Sequence, residues 1–344
     1  MKKVSKILQR IRTYLSKDAI LSRYRRSKYA FNLRRLYLPT KNVLIDRPIF
    51  FLGVQGGGLT LIVKALQRHQ NTCFCTGNSH EWDAADNELF TCNKYVPSAL
   101  SFLNNNVYHP NYKTDFFRYW TYALNDTMDL YRLNPESIDN TVREKFRAVL
   151  KRIIRAYAHD VRNCRFIDKS QLYTINARYL YKMLKDTNPY FILVTRDPFA
   201  MCKRVAEKYY ANPKKNNFTF THEENLRLCC QHWKNSMDIA LTEGTHIPNF
   251  KVMKFENFLR DPQTFLQDIC AFVDLPFDDK IVPGPNQKST VFAQMQTRWY
   301  PLRKDVNEQY IQTLENNEIK IIEEICGAVA HTCGYTTPST FVHK

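Results

Sequence analysis

Residues 48–60 read PIFFLGVQGGGLT. A short apolar run without polar alternation, here Ile49 to Leu52, is the pattern of a strand covered on both faces, as in a parallel sheet. The run breaks at Gly53, and helical spacing begins after Gly58. Strand, glycine turn and helix together open a parallel α/β unit. Four of the nine glycines of the chain lie here, at Gly53, Gly56, Gly57 and Gly58. Glycine tolerates positive φ and lets backbone amides approach an anion, while the helix N-terminus adds partial positive charge. Gly53, Gly58 and Thr60 meet the phosphate-loop spacing, but Leu59 stands where that pattern has lysine. An ordinary ATP- or GTP-dependent phosphotransferase is therefore disfavoured. Tight packing alone is the bland explanation of such a turn.

Outward from this stretch, four more apolar runs read as buried strands: TCFCTG (72–77), CRFIDKS (164–170), YFILVTR (190–196) and FKVMKFE (250–256). Helical spacing fills the intervals at 60–69, 141–158, 175–186, 199–210, 222–242 and 262–273, with a last helix over about 305–331. Alternation of this kind predicts an α/β fold, a P-loop-like twisted parallel sheet with helices on both faces. The pattern breaks over about 87–137, where Tyr95, Phe102, Tyr112, Trp120 and other aromatics crowd together. An insertion there, outside the carboxyl ends of the strands, suits an acceptor-binding lid, although packing accounts for most aromatics.

The chain has 344 residues and a formal charge of +17, unevenly spread. Residues 1–47 hold fourteen Lys or Arg against Asp18 and Asp46. We read residues 1–46 as a basic arm and 47–344 as the globular domain, with an amphipathic helix in the arm suited either to an anionic membrane surface through residues 1–35 or to packing on the body. Specific nucleic-acid binding would rest on the arm alone and is not expected. No apolar run approaches the roughly 20 residues of a membrane span, and no signal-peptide pattern is present. The ten cysteines include no C-x-x-C pair, which predicts reduced, mostly buried thiols, no metal site and a cytoplasmic location, either free or membrane-peripheral.

Two further clusters fall at strand ends. TRDPFAMCKR places Arg196 at a strand tip and Arg204 eight residues on, across a helix opening at Asp197 and Pro198. Two guanidinium groups so placed can fork onto a phosphate, or pair structurally with a carboxylate. Asp168, Lys169 and Ser170 follow another strand, where a lysine facing the glycine turn would stabilise charge on a bridging oxygen.

Taken together, these segments resemble sulfotransferases that use 3′-phosphoadenylyl sulfate (PAPS). FFLGVQGGGLTL resembles the family's 5′-phosphosulfate loop, FILVTRDPFAM its 3′-phosphate motif, and FIDKS the strand that brings in a lysine. HWKNSMDIA (232–240), FENFLRDPQTFLQDICAFVDLP (255–276) and TRWYPLRKDVN (297–307) resemble later segments of bacterial-type members. The resemblance spans about residues 47–334. It implies sulfuryl transfer to a hydroxyl or amine of a glycan, lipid or small-molecule acceptor. On that basis Gln55, Gly56, Gly57, Gly58, Leu59 and Thr60 cradle the 5′-phosphosulfate, Arg196 and Arg204 the 3′-phosphate, and Arg298 or Arg303 closes over the nucleotide. Lys169 steadies the leaving group.

The chain departs from the family at several positions. Gly56 and Gly57 replace the usual basic residue and serine of the loop, and Arg204 replaces the serine after the 3′-phosphate arginine. Gln171 stands where cytosolic-type relatives carry the base histidine and cannot take a proton. Other members use a carboxylate after the second strand, so SHEWDAAD (79–86) supplies the candidates: Glu81, with His80 competing and Asp83 or Asp86 behind them. The alternative is a catalytically inactive module on the same fold that binds adenosine 3′,5′-bisphosphate (PAP).

Overall fold

The computed structural model describes residues 38–75, 88–89, 100, 121–210, 221–284, 290–291, 296–297 and 302–338. All five expected strands form: β1 (Ile49–Leu52), β2 (Thr72–Cys73), β3 (Arg165–Asp168), β4 (Tyr190–Thr195) and β5 (Phe250–Lys254). They lie in one sheet in the order β2-β3-β1-β4-β5, every neighbouring pair parallel. The register sets Phe50 beside Asp168 and Leu52 beside Leu193. An antiparallel pair, β6 (Thr290–Val291) and β7 (Gln296–Thr297), stands apart.

Side chains alternate across the sheet, so each strand feeds two cores. Phe50, Leu52, Phe191 and Leu193 face one core. Five helices cover it: α2 (Asn140–Tyr157), α3 (Ala177–Leu184), α4 (Pro198–Tyr210), α5 (His222–Gly244) and α9 (Asn316–Thr332). Ile49, Phe51, Ile192 and Val194 face the other core, covered by α1 (Leu59–Leu66), α6 (Phe255–Arg260), α7 (Pro262–Phe272) and the start of α8 (Val306–Ile311). The rings of Phe50 and Phe191 stack at 5.3 Å across β1 and β4. Truncating either buried ring to alanine costs about 3–5 kcal/mol.

Local signals set the helix starts. Asp139 caps α2 by accepting from Thr141 N and Val142 N, and Thr221 with Glu224 forms a capping box on α5. The last expected helix is broken in two. Glu315 and Glu318 form a capping box that starts α9 afresh, while buried Leu314 anchors the intervening turn. The β5 strand stops at Lys254 rather than running to Glu256, because Phe255 and Glu256 turn into α6.

The nine described cysteines are all buried. Among the described residues no helix is long and apolar enough to cross a membrane. The basic arm up to residue 37 and most of the aromatic insertion lie outside the described residues. Tyr122, an aromatic of that insertion, is described: it is fully buried, its hydroxyl 3.3 Å from His232 Nε2, and belongs to the core.

Candidate functional site

After β1 the chain runs toward β2, and after β4 it runs toward β5, on the opposite side. The carboxyl ends of β1 and β4 therefore flank the point where an open α/β sheet leaves a crevice for ligands. The glycine turn leaves β1 there, and Arg196 follows β4.

The turn is bare backbone. Gly57 N donates to Val54 O at 3.0 Å, and Gly53 is held by Thr174, whose Oγ1 accepts from Gly53 N at 2.8 Å and donates to Gly53 O at 2.9 Å. Gly58 caps α1 in the left-handed region (φ 94°), with no side-chain cap and no acid in the first turn. No described group accepts from the amides of Gly58, Leu59 or Thr60. Those donors and the helix dipole make an anion cradle. The Leu59 side chain is buried in the core, so only its amide serves. Gln55 and Thr60 are half-buried.

Arg196 lies across this turn with 3% of its surface exposed. Its Nη1 donates to Gly56 O at 2.7 Å, and its Nε and Nη2 donate to Asn307 Oδ1 at 3.0 and 2.7 Å. The guanidinium stands 5.0 Å above the Phe255 ring. Arg204 Nη1 reaches the same Gly56 carbonyl at 3.4 Å. Two cations thus meet on one peptide oxygen. Burial first, and Arg204 second, bring the Arg196 guanidinium down to about 9. Added negative charge would relieve both effects.

Behind Arg196 runs a polar brace. Glu256 Oε1 accepts from Asn307 Nδ2 at 2.5 Å and Asp197 N at 3.0 Å, and its Oε2 accepts from Tyr335 OH at 3.0 Å. Burial lifts the Asp197 carboxyl to about 6 even though Phe199 N donates to it.

Lys169 is not solvated. It is 1% exposed and donates from Nζ to Glu88 Oε1 at 2.6 Å. Asp168 is held by Leu89 N and by Ser170 N and Oγ, and burial raises its pKa. Gln171 Oε1 is buried without a hydrogen-bond partner.

The structure therefore gathers Gly56, Gly57, Gly58, Arg196 and Arg204 at one crevice, with Lys169 on neighbouring β3. Glu81, His80 and Arg298 lie outside the described residues; Arg303 is exposed. Sequence reasoning missed Glu88, Glu256 and Asn307. Glu88 had a weak signal as the acid nearest SHEWDAAD; the other two had none.

The Sulfotransferase family model matches residues 48–279, about two thirds of the chain. Among solved structures, the chain is similar to sulfotransferase STF9 from Mycobacterium avium, with 14% identity, TM-score 0.52, and 89% of this chain and 80% of that chain covered. It is also similar to the sulfotransferase domain of the Synechococcus PCC 7002 olefin synthase, with 17% identity, TM-score 0.50, and 87% and 100% covered. A search of curated proteins found no match. At these identities the structural likenesses bear on the fold alone, and the family model carries the assignment.

Proposed function

Since this chain belongs to the sulfotransferase family, we propose that it moves the sulfuryl group of PAPS to a hydroxyl or amine of a glycan, lipid or small-molecule acceptor. The observation that carries the reading is the convergence of Arg196 and Arg204 on Gly56 O, directly beside a turn of unclaimed amides. One doubly phosphorylated adenosine matches that layout. The free amides of Gly58, Leu59 and Thr60 with the Thr60 hydroxyl take the 5′-phosphosulfate, and Arg204 with Arg196 takes the 3′-phosphate. PAPS supplies the sulfuryl group and departs as PAP.

In this reading the Gly56 carbonyl holds the place of a phosphate oxygen and yields it when nucleotide enters. Backbone amides and the guanidinium pair do the work that a basic side chain does elsewhere in the family. Lys169 on β3 stabilises the leaving phosphate, its charge balanced at rest by Glu88. Glu81 or His80 takes the acceptor proton, and Glu88 joins them as a candidate because its carboxylate stands 2.6 Å from Lys169 Nζ. Gln171 Oε1, buried without a donor, is suited to receive a hydrogen bond from the acceptor.

Incubation with ³⁵S-labelled PAPS and a panel of glycans, glycolipids and small alcohols tests the proposal. Transfer to an acceptor supports it; tight PAP binding without transfer to any acceptor favours the inactive module. The Lys169→Ala variant should lose turnover far more than PAPS affinity. Equal loss of both would reject its role.

A further inference from the structure

We propose that Cys202, Cys230 and Cys326 form a three-sulfur site for a soft monovalent metal ion, Cu(I), in the helical layer on one face of the sheet. The three residues come from α4, α5 and α9, helices that pack against one another. Their Sγ atoms all lie within 4.8 Å of one another, and each residue is fully buried. A thiolate-bound ion at the usual metal–sulfur distance of about 2.3 Å holds three sulfurs roughly 4 Å apart in a plane. The trio is thus near coordinating spacing before any ion arrives.

The choice of ion follows from ligand number and softness. Among the described residues no fourth Cys, His, Asp or Glu joins the group. Zinc nearly always takes four ligands in a closed site, and only three described ligand atoms stand at mutual coordinating spacing here. Thiolates select Cu(I) among the soft ions, and a three-coordinate site suits it. The surroundings are apolar: Met201, Val205, Leu226, Trp233 and Ile322 belong to the same core. At rest Cys326 Sγ donates to Cys230 O at 3.5 Å, a proton the arriving ion displaces. On binding, three Cu–S bonds form, the S–H bonds of Cys202, Cys230 and Cys326 break, and the three protons leave with the ligands that delivered the ion. No electron is transferred.

The test uses the full chain, reduced and anaerobic, loaded with Cu(I) against excess bicinchoninate. The inference expects one chelator-resistant Cu(I) per chain, unchanged in Cys270→Ala, which alters a buried thiol of the other core, and lost in Cys202→Ala and Cys326→Ala. X-ray absorption of the loaded native protein, which needs no variant, should show three sulfur neighbours and no lighter ones. It is overturned by absence of retained Cu(I), by retention in both trio variants, by oxygen or nitrogen in the copper shell, or by preferential retention of Zn(II). None of these outcomes depends on sulfuryl transfer.

Discussion

Gly58 shows how tightly packing and backbone fix one residue of the glycine turn. Its φ of 94° is strained for any side chain, and a Cβ there would fall 2.2 Å from Phe255 Cε2. Gly58→Ala should therefore destabilise the protein by about 2 kcal/mol or more in urea unfolding. Adding Phe255→Leu should recover the steric part and leave the backbone part. Asp197 supplies a pH signature. Its folded-state value of about 6 lies above the ordinary carboxylate value, so the folded chain keeps a proton that the unfolded chain has shed. Its contribution is present at low pH and is lost as pH rises through about 6, with a slope of at most about 1.4 kcal/mol per unit. Asp197→Asn should flatten the stability profile between pH 4 and about 6; an unchanged slope would remove Asp197 as its source. At this scale the glycine turn and both arginines were legible, because their residue types are rare and their spacing is local. Glu88 and Asn307 were not, because only the folded chain brings them to Lys169 and Arg196.

Among the elements, α8 matters beyond its six residues. It carries Asn307, whose side chain joins Arg196 to Glu256 and so to α6 and Tyr335. Asn307→Ala should leave Arg196 Nε and Nη2 without their acceptor and weaken PAP binding roughly tenfold. Rescue by Asn307→Gln is not expected, since the longer side chain misplaces the carbonyl. Unchanged affinity in calorimetry would reduce Asn307 to a packing role. The five strands were legible because a strand buried on both faces reads as an unbroken apolar run. The division of the last helix was not, because helical spacing continues through residues 312–315 and the interruption comes from a capping box of two glutamates, a pairing seen only in the fold.

For the whole molecule, strand order brings together motifs more than a hundred residues apart. β1 and β4 are sheet neighbours, so the glycine turn and the strand-tip arginine share one edge. Charge is divided along the chain as well: the basic residues 1–47 contrast with a body carrying 36 Lys or Arg against 31 Asp or Glu. We propose that the basic arm meets anionic lipid: the whole chain should sediment with phosphatidylserine vesicles, and removing residues 1–37 should abolish this while leaving PAP affinity intact. No sedimentation of the whole chain, or binding that survives the deletion, would reject the arm as a membrane contact.

The two-ended grip on one nucleotide is tested most directly by calorimetry that crosses ligand with residue. PAP and adenosine 5′-phosphate are each titrated into the native chain and into Arg204→Ala. The account predicts that removing the 3′-phosphate costs the native chain about 1.5–3 kcal/mol, roughly ten- to a hundredfold in affinity, and costs the variant far less. Equal losses in both proteins, or no heat with PAP, would contradict it.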